Sequence, residues 1–132
     1  MGFRILLGVI TYLMLVGCEA PLVLEGVEKA KKQPIHRTDR IQAAASLDDN
    51  VLLAGIGFIL NSNDGATTWE RVQPVEMPSF IGAAICPNGV QVAVSAEREV
   101  WVSNDKGGTW QANSLGTEEA PQFLSCGPDN KL

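Results

Sequence analysis

The stretch SNDKGGTW at residues 103–110 decides the fold, because a close copy of it, SNDGATTW, occurs at residues 62–69. The acidic residues of the two copies, Asp64 and Asp105, lie 41 positions apart. Three short apolar runs precede each copy and a fourth follows it, with turn residues between the runs. The sequence therefore predicts a repeated unit of four short antiparallel strands.

A period of about 40 to 45 residues with four strands per unit is typical of a β-propeller. We expect an all-β chain with blade 1 at 41–73, blade 2 at 81–113 and the start of a third blade at 122–132. With a shift of 41 residues, Val51 aligns with Val92. Propellers close with about four to eight blades, so two and a half blades are incomplete, and we expect a truncated sequence. The predicted strands are 41–46, 51–55, 58–62, 69–73, 81–86, 90–95, 99–103, 110–113 and 123–126.

The N-terminus has the features of an export signal. Arg4 precedes an apolar run at 5–16, which is too short for the roughly 20 residues of a membrane-spanning helix. The run ends in LVGC, which resembles the lipobox of bacterial lipoproteins. The resemblance implies a signal peptide at 1–17, lipidation of Cys18 and a tether at 18–40. The acyl chains would anchor the protein to a membrane.

Composition restricts the function. A hydrophobic content of 45% with 19% charged residues is typical of a globular protein. Without segment 1–17 the chain has nine basic and fifteen acidic residues, a net charge of about −6. An acidic chain is a poor match for nucleic acid, whose binding depends on Lys and Arg. The single histidine, His36, has no recognisable nucleophile partner.

The remaining cysteines are Cys86 and Cys126, which occupy equivalent positions in successive repeats. Such positions on neighbouring blades are usually farther apart than the 4.4 to 6.8 Å between Cα atoms that a disulfide tolerates. An oxidising compartment would permit the bridge. We nevertheless expect two buried free thiols.

The residue types of the repeated octapeptides are those that a turn between two strands requires. A turn between two strands leaves backbone N–H groups without ladder partners, and Asp and Ser oxygens accept those bonds. Glycine at the fifth position suits positive φ, so Ala66 predicts strain in the first copy. The further ligands that a calcium-binding loop requires are absent from this sequence. We therefore expect no metal and no cofactor. The structural residues predicted here are Ser62, Asp64, Thr68, Trp69, Ser103, Asp105, Gly107, Thr109 and Trp110.

These octapeptides match the Asp box, S-x-D-x-G-x-T-W, and Ala66 is the one departure. With the pattern of residues 53–65, they make the chain resemble the photosystem II assembly-factor propellers and related BNR-repeat proteins over roughly 41–110. The resemblance implies structural Asp boxes at the blade periphery. It also implies a non-enzymatic, protein-binding scaffold that helps a membrane complex assemble.

Two alternatives stay open. Sialidases also carry Asp boxes, and Arg40 could correspond to the first arginine of their substrate-binding triad. Gln42 stands where their Arg-Ile-Pro motif has proline, and the single tyrosine, Tyr12, lies in the signal. A purely structural envelope repeat protein is the other alternative. Solvated surface positions are the expectation for Arg37, Arg40, Arg71 and Arg98.

The resulting hypothesis is a lipid-anchored, extracytoplasmic β-propeller on the periplasmic face of the inner or outer membrane. It binds the membrane through Cys18 and a protein partner through loops at the ends of the inner strands or through blades that this sequence does not contain. We expect no enzymatic activity and no nucleic-acid partner.

Overall fold

The computed structural model describes residues 33–132. The predicted signal peptide, Cys18 and most of the tether lie outside the described residues. The described part of the chain contains eight strands and no helix. They are β1 (Ile41–Leu47), β2 (Asn50–Gly55), β3 (Phe58–Ser62), β4 (Glu70–Val72), β5 (Phe80–Ile85), β6 (Gln91–Ser95), β7 (Glu99–Ser103) and β8 (Gln111–Ser114).

The strands form two antiparallel sheets, ordered β1-β2-β3-β4 and β5-β6-β7-β8. Every neighbouring pair is also consecutive in the chain, so short turns make all the connections within a sheet. β3 and β6 are buried along their whole length, whereas β8, at a sheet edge, is exposed throughout. The eight strands predicted for the two blades are confirmed to within one residue at either end.

The core lies between the sheets, where β1 and β2 pack against β5. Phe80 and Trp101 meet edge to face, with ring centroids 5.6 Å apart. Trp101 and Trp110 also pack against the core. Each fully buried large apolar side chain contributes about 1.5–3 kcal/mol to stability. One contiguous cluster of buried core residues consists of Leu52, Ala54, Ile59, Phe80 and Ala93.

The alignment of Val51 with Val92 is wrong by one residue. Val51 pairs with Ser62 in the first sheet, and the equivalent Ser103 pairs with Gln91 in the second. The reason is the turn between β6 and β7, which is one residue longer than the turn between β2 and β3. Gln91 therefore occupies the place of Val51, and its side chain is fully buried.

The segment after β8 returns along β5. The predicted strand at 123–126 is not formed. The chain turns directly after it, where Asn130 N–H donates to Gly127 O at 3.0 Å. Leu124 lies against Gly82, since a Cβ on that glycine would be 3.2 Å from Leu124 Cβ. The start of a third blade at 122–132 stays a prediction.

Cys86 and Cys126 form a disulfide, so the expectation of two free thiols is wrong. Their Cα atoms are 5.2 Å apart, within the tolerated range. The physical reason is the position of the returning segment, which passes directly beside the end of β5. Because β1 and β5 also contact each other, the first strands of successive units lie closer together than the spacing of whole blades suggests.

Candidate functional site

The turn between β7 and β8 is closed by side-chain hydrogen bonds. Ser103 Oγ accepts the N–H of Gly107 and donates to Asp105 Oδ1, both at 2.8 Å. Asp105 also accepts the backbone N–H of Thr109 at 2.8 Å and its hydroxyl at 2.7 Å. These bonds satisfy the backbone donors that the strands leave unpaired.

The turn between β3 and β4 repeats this arrangement. Ser62 Oγ accepts the N–H of Ala66 at 2.9 Å and donates to Asp64 Oδ1 at 2.8 Å. Asp64 accepts the N–H of Thr67 at 3.1 Å and that of Thr68 at 2.8 Å. In both motifs the serine and aspartate side chains bond within their own turn, which is an arrangement suited to holding backbone rather than binding a ligand.

The same bonds set the charge of the two aspartates. Bonds from the hydroxyl and N–H of Thr68 and from Ser62 lower the pKa of Asp64 to about 2, from an ordinary 3.8. Bonds from the N–H and hydroxyl of Thr109 and from Ser103 lower the pKa of Asp105 to about 2. Both carboxyls are therefore ionised near neutral pH, and neither has a proton to give as a general acid.

The fifth residue of each turn has left-handed backbone geometry, with φ of 68° at Ala66 and 90° at Gly107. Ala66 thus occupies the conformation that was expected to cause strain. Its surroundings differ from those of Gly107, because Ala66 is exposed and Gly107 is buried against the first sheet. A Cβ on Gly107 would lie 2.5 Å from the amide of Asn61.

The opposite end of blade 1 carries a cleft of about 370 Å³. We call this end of the blade the cleft end. The end that carries the octapeptide turns is called the turn end. The hairpin between β2 and β3 and the loop after β4 form its walls through Ile56, Phe58 and Met77. Residues 33–40, which we call the strap, form another wall through His36 and Arg40. The cleft therefore lies between the strap and the rest of blade 1.

Arg71 of β4 fastens the strap to the blade. Its guanidinium donates to both carboxylate oxygens of Asp39, at 2.9 and 3.0 Å, and to the carbonyl of Pro34 at 3.0 Å. It also lies 4.4 Å from the ring centroid of Phe58. The side chains of Arg71 and Asp39 are 15% and 7% exposed, so this ion pair is largely screened from water.

Asp39 is ionised in this setting. Burial raises the pKa of its carboxyl, but hydrogen bonds from Arg71 and from the N–H of His36, with the charge of Arg71, outweigh that effect and lower the pKa below 3.8. The expectation of a solvated surface arginine is wrong for Arg71, because the strap covers it. Arg40 is exposed at the cleft, and Arg98 donates to the carbonyls of Thr117 and Glu118.

His36, for which no nucleophile partner was recognised, has its Nδ1 3.9 Å from Asp39 Oδ1. Asp39 is already held by Arg71, and no serine or cysteine lines the cleft.

Exposed apolar side chains line the cleft or belong to the segments that form its walls, and this feature was not predicted from sequence. Ile56 and Met77 line it and are 44% and 55% exposed. Val75, in the loop after β4, is 94% exposed, and Ile35 of the strap is 42% exposed. The sequence indicates this feature through the apolar residues of the loop VEMP at 75–78, because a loop that only faces solvent would be polar. Clustered exposed apolar residues mark a binding surface.

Within residues 33–132, no group of three or more His, Cys, Asp or Glu is placed to hold a metal ion. Among the same residues, no helix has the length and apolar content needed to cross a bilayer.

Two antiparallel four-stranded meanders packed against each other, with like turns at one end, define this chain as blades of a β-propeller. The solved structures that it resembles include YCF48 bound to D1 peptide, at 20% identity and a TM-score of 0.59, covering 67% of this chain and 32% of that one. YCF48 from Cyanidioschyzon merolae is another, at 19% identity and a TM-score of 0.54, covering 72% of this chain and 31% of that one. The chain thus spans about a third of these propellers.

At this identity the likeness establishes the fold, and it confirms the predicted resemblance to the photosystem II assembly-factor propellers at the level of the fold. Comparison with protein-family models and with curated proteins found no match.

Proposed function

We propose that this chain belongs to a lipid-anchored, extracytoplasmic β-propeller that binds a protein segment at the cleft of blade 1. In this role it is a non-enzymatic accessory or assembly factor for a membrane complex. The observation that carries the proposal is the set of exposed apolar side chains around the cleft, with the exposed Arg40 beside them. An apolar rim with a few polar groups is the usual composition of a peptide-binding surface.

The solved propellers support the same class of function. One of them, YCF48, was solved bound to D1 peptide. By analogy, we infer a peptide ligand for the present chain as well. The Cys86–Cys126 disulfide agrees with an extracytoplasmic location, because disulfides persist in oxidising compartments.

The binding proposal is tested by pull-down of the full-length lipidated protein from native membranes, with partners identified by mass spectrometry. We expect Met77→Asp to remove the specific partner, because it places a charge in the apolar rim. Phe123→Asp is the matched control, since Phe123 is 92% exposed and lies outside the cleft. Equal recovery of the partner by wild type and Met77→Asp would overturn the proposal.

A peptide from the captured segment then provides the quantitative test. Loss of one apolar anchor and burial of a charge should weaken its affinity for Met77→Asp by about tenfold or more, which corresponds to about 1.4 kcal/mol. Unchanged affinity would contradict the proposed site.

The anchor and the absence of catalysis have separate tests. Metabolic labelling with a fatty-acid analogue should mark the wild-type protein and leave Cys18→Ala unlabelled. A fluorogenic sialoside should remain uncleaved by the full-length protein. Turnover of the sialoside would favour the sialidase alternative, and labelled Cys18→Ala would refute lipidation at that residue.

A further inference from the structure

The loop that connects the two blades, residues 73–79, is fixed at its base by hydrogen bonds from two hairpins. The N–H of Gly57, between β2 and β3, donates to Pro78 O at 2.8 Å. The N–H of Ala96, between β6 and β7, donates to Ser79 O, also at 2.8 Å. Pro78 itself is buried. Both blades therefore hold the base of this loop in place.

The outer part of the loop is a tight turn at residues 74–77, which we call the VEM turn. The N–H of Met77 donates to Pro74 O at 3.1 Å and closes it. Met77 has a φ of 47°, in the left-handed region that residues other than glycine rarely adopt. Such backbone conformations persist where the surroundings impose them, and they cluster at ligand-binding sites. The VEM turn is therefore held in one preformed shape.

Three consecutive side chains of the VEM turn face solvent. Val75 at the tip is 94% exposed and Met77 is 55% exposed, with the exposed Glu76 between them. Met77 lines the cleft, whereas Val75 and Glu76 lie outside it. Residues of a solvated turn are usually polar, so two apolar side chains here are unusual. The turn thus presents a convex apolar tip with a carboxylate beside it.

We propose that the VEM turn is a recognition element that enters an apolar pocket of the protein partner, and that a lysine or arginine lies at the rim of this pocket. The inference rests on the proposed function, because Met77 belongs to both the turn and the cleft. It adds a second contact, made by Val75 and Glu76, and the chemistry of the partner surface that receives them.

Shape and charge both define this partner surface. A convex tip is complemented by a concave pocket, and the apolar side chain of Val75 requires an apolar lining. Burial of the Glu76 carboxylate in the same contact is favourable when a basic side chain forms an ion pair with it. The preformed turn loses little conformational entropy on binding. The carboxylate also opposes insertion of the tip into a bilayer with anionic headgroups, which favours a protein pocket over lipid.

Thiol labelling locates the contact in the full lipidated protein. Because Cys86 and Cys126 are joined, Val75→Cys provides the only free thiol within residues 33–132. A soluble maleimide should label it readily when the protein is alone. Detergent-solubilised native membranes should abolish this labelling. Asn104→Cys is the matched control, since Asn104 is exposed in an octapeptide turn at the turn end and should stay reactive.

The other outcomes of the labelling overturn the proposal. An unreactive Val75→Cys in the isolated protein would mean that the propeller itself covers the tip. Protection by protein-free vesicles of phosphatidylcholine and phosphatidylglycerol would identify lipid as the occupant. Equal protection at positions 75 and 104 would show that the contact is not specific to the VEM turn.

Substitutions test the chemistry of the pocket. Val75→Ser should raise by about tenfold the bait concentration that recovers half of the partner from the same solubilised membranes. Glu76→Lys should cause a similar rise that shrinks at high salt, because it places like charges together. Asp49→Lys is the matched charge change, since Asp49 is exposed and its carbonyl accepts the N–H of Gly65 at the turn end.

Failure of this inference is distinguishable from failure of the proposed function. If Met77→Asp loses the partner while Val75→Ser and Glu76→Lys recover it as the wild type does, the cleft binds protein and the VEM turn is not a recognition element. If Met77→Asp recovers the partner fully, the proposed function fails and this inference fails with it.

Discussion

The side-chain amide of Asn61, in β3 of the first sheet, donates a 2.6 Å hydrogen bond to the backbone carbonyl of Lys106, in the turn between β7 and β8. Asn61 Oδ1 accepts a second bond, of 2.8 Å, from Gln91 Nε2. Both side chains are fully buried. The buried Asn61 therefore attaches the turn of the second blade to the first blade, and this contact lies beside Gly107, where a side chain would displace it.

Asn61→Ala should lower the free energy of unfolding by about 2–3 kcal/mol, because it removes two bonds and leaves the buried amide of Gln91 unpaired. Asn63→Ala is the control, since Asn63 donates to the same carbonyl of Lys106 at 3.2 Å but is exposed. We expect a change within about 0.5 kcal/mol there. Urea denaturation measures both. Similar losses in the two variants would contradict the role assigned to burial.

Exchange of the fifth turn residues should have opposite effects. Gly107→Ala places a Cβ 2.5 Å from the Asn61 amide, in addition to the cost of positive φ, and should destabilise the protein by about 2 kcal/mol or more. Ala66→Gly relieves left-handed strain at an exposed position and should be neutral or stabilise by up to about 1 kcal/mol. Thermal unfolding of both variants provides the measurement. A stabilised Gly107→Ala protein would refute the packing argument.

The two turn aspartates should titrate well below an ordinary carboxyl. Their pKa is lowered in the folded state to about 2, from 3.8. Their stabilising contribution is therefore complete above about pH 4 and is lost as the pH falls towards 2. Carboxyl chemical shifts in a ¹³C NMR titration should show this for both Asp64 and Asp105. Thr109→Val removes one donor and should raise the pKa of Asp105 while leaving that of Asp64 in place. Ordinary pKa values in the wild-type protein would contradict the hydrogen-bonded turns.

The fold was predictable because its information is local. Every strand pairs with its neighbour in the chain, so alternation of short apolar runs and turn residues was sufficient to place all eight strands. The octapeptides identified the turns for the same reason, since all their internal bonds span four residues or fewer.

The contacts between blades and the cleft could not be predicted from the same patterns. Asn61 reaches Lys106 across 45 positions, and Arg71 reaches Asp39 across 32. Neither pair belongs to a period or a motif. The one-residue difference between the two hairpins also misaligned Gln91, because a fixed repeat length cannot account for a turn that is longer in one copy.

The Asp39–Arg71 pair should be strongly coupled. Asp39→Asn leaves a guanidinium that is 15% exposed without its counter-charge, and we expect a loss of about 3 kcal/mol. Replacement of both partners, by Asp39→Leu and Arg71→Met, should recover part of that loss, because no buried charge remains. Denaturation of the single variants Asp39→Leu and Arg71→Met and of the double variant completes a double-mutant cycle. Additive losses, with no coupling energy, would show that water rather than Asp39 compensates Arg71.

The disulfide should stabilise the returning segment more than it stabilises the sheets. Cys86 and Cys126 enclose a loop of 40 residues, and closure of such a loop restricts the unfolded chain by about 4 kcal/mol in the chain-entropy treatment. The paired substitutions Cys86→Ser and Cys126→Ser should lower the free energy of unfolding by about 2–4 kcal/mol. Hydrogen exchange in this variant should quicken first at Asn88, whose N–H donates to Asn130 Oδ1 at 2.8 Å in the returning segment. The N–H of Leu53, within the first sheet, provides the reference because it is paired independently of that segment. Equal acceleration at both sites would mean that the bond supports the whole fold, whereas no change at Asn88 would mean that Leu124 and Gly82 hold the segment without it.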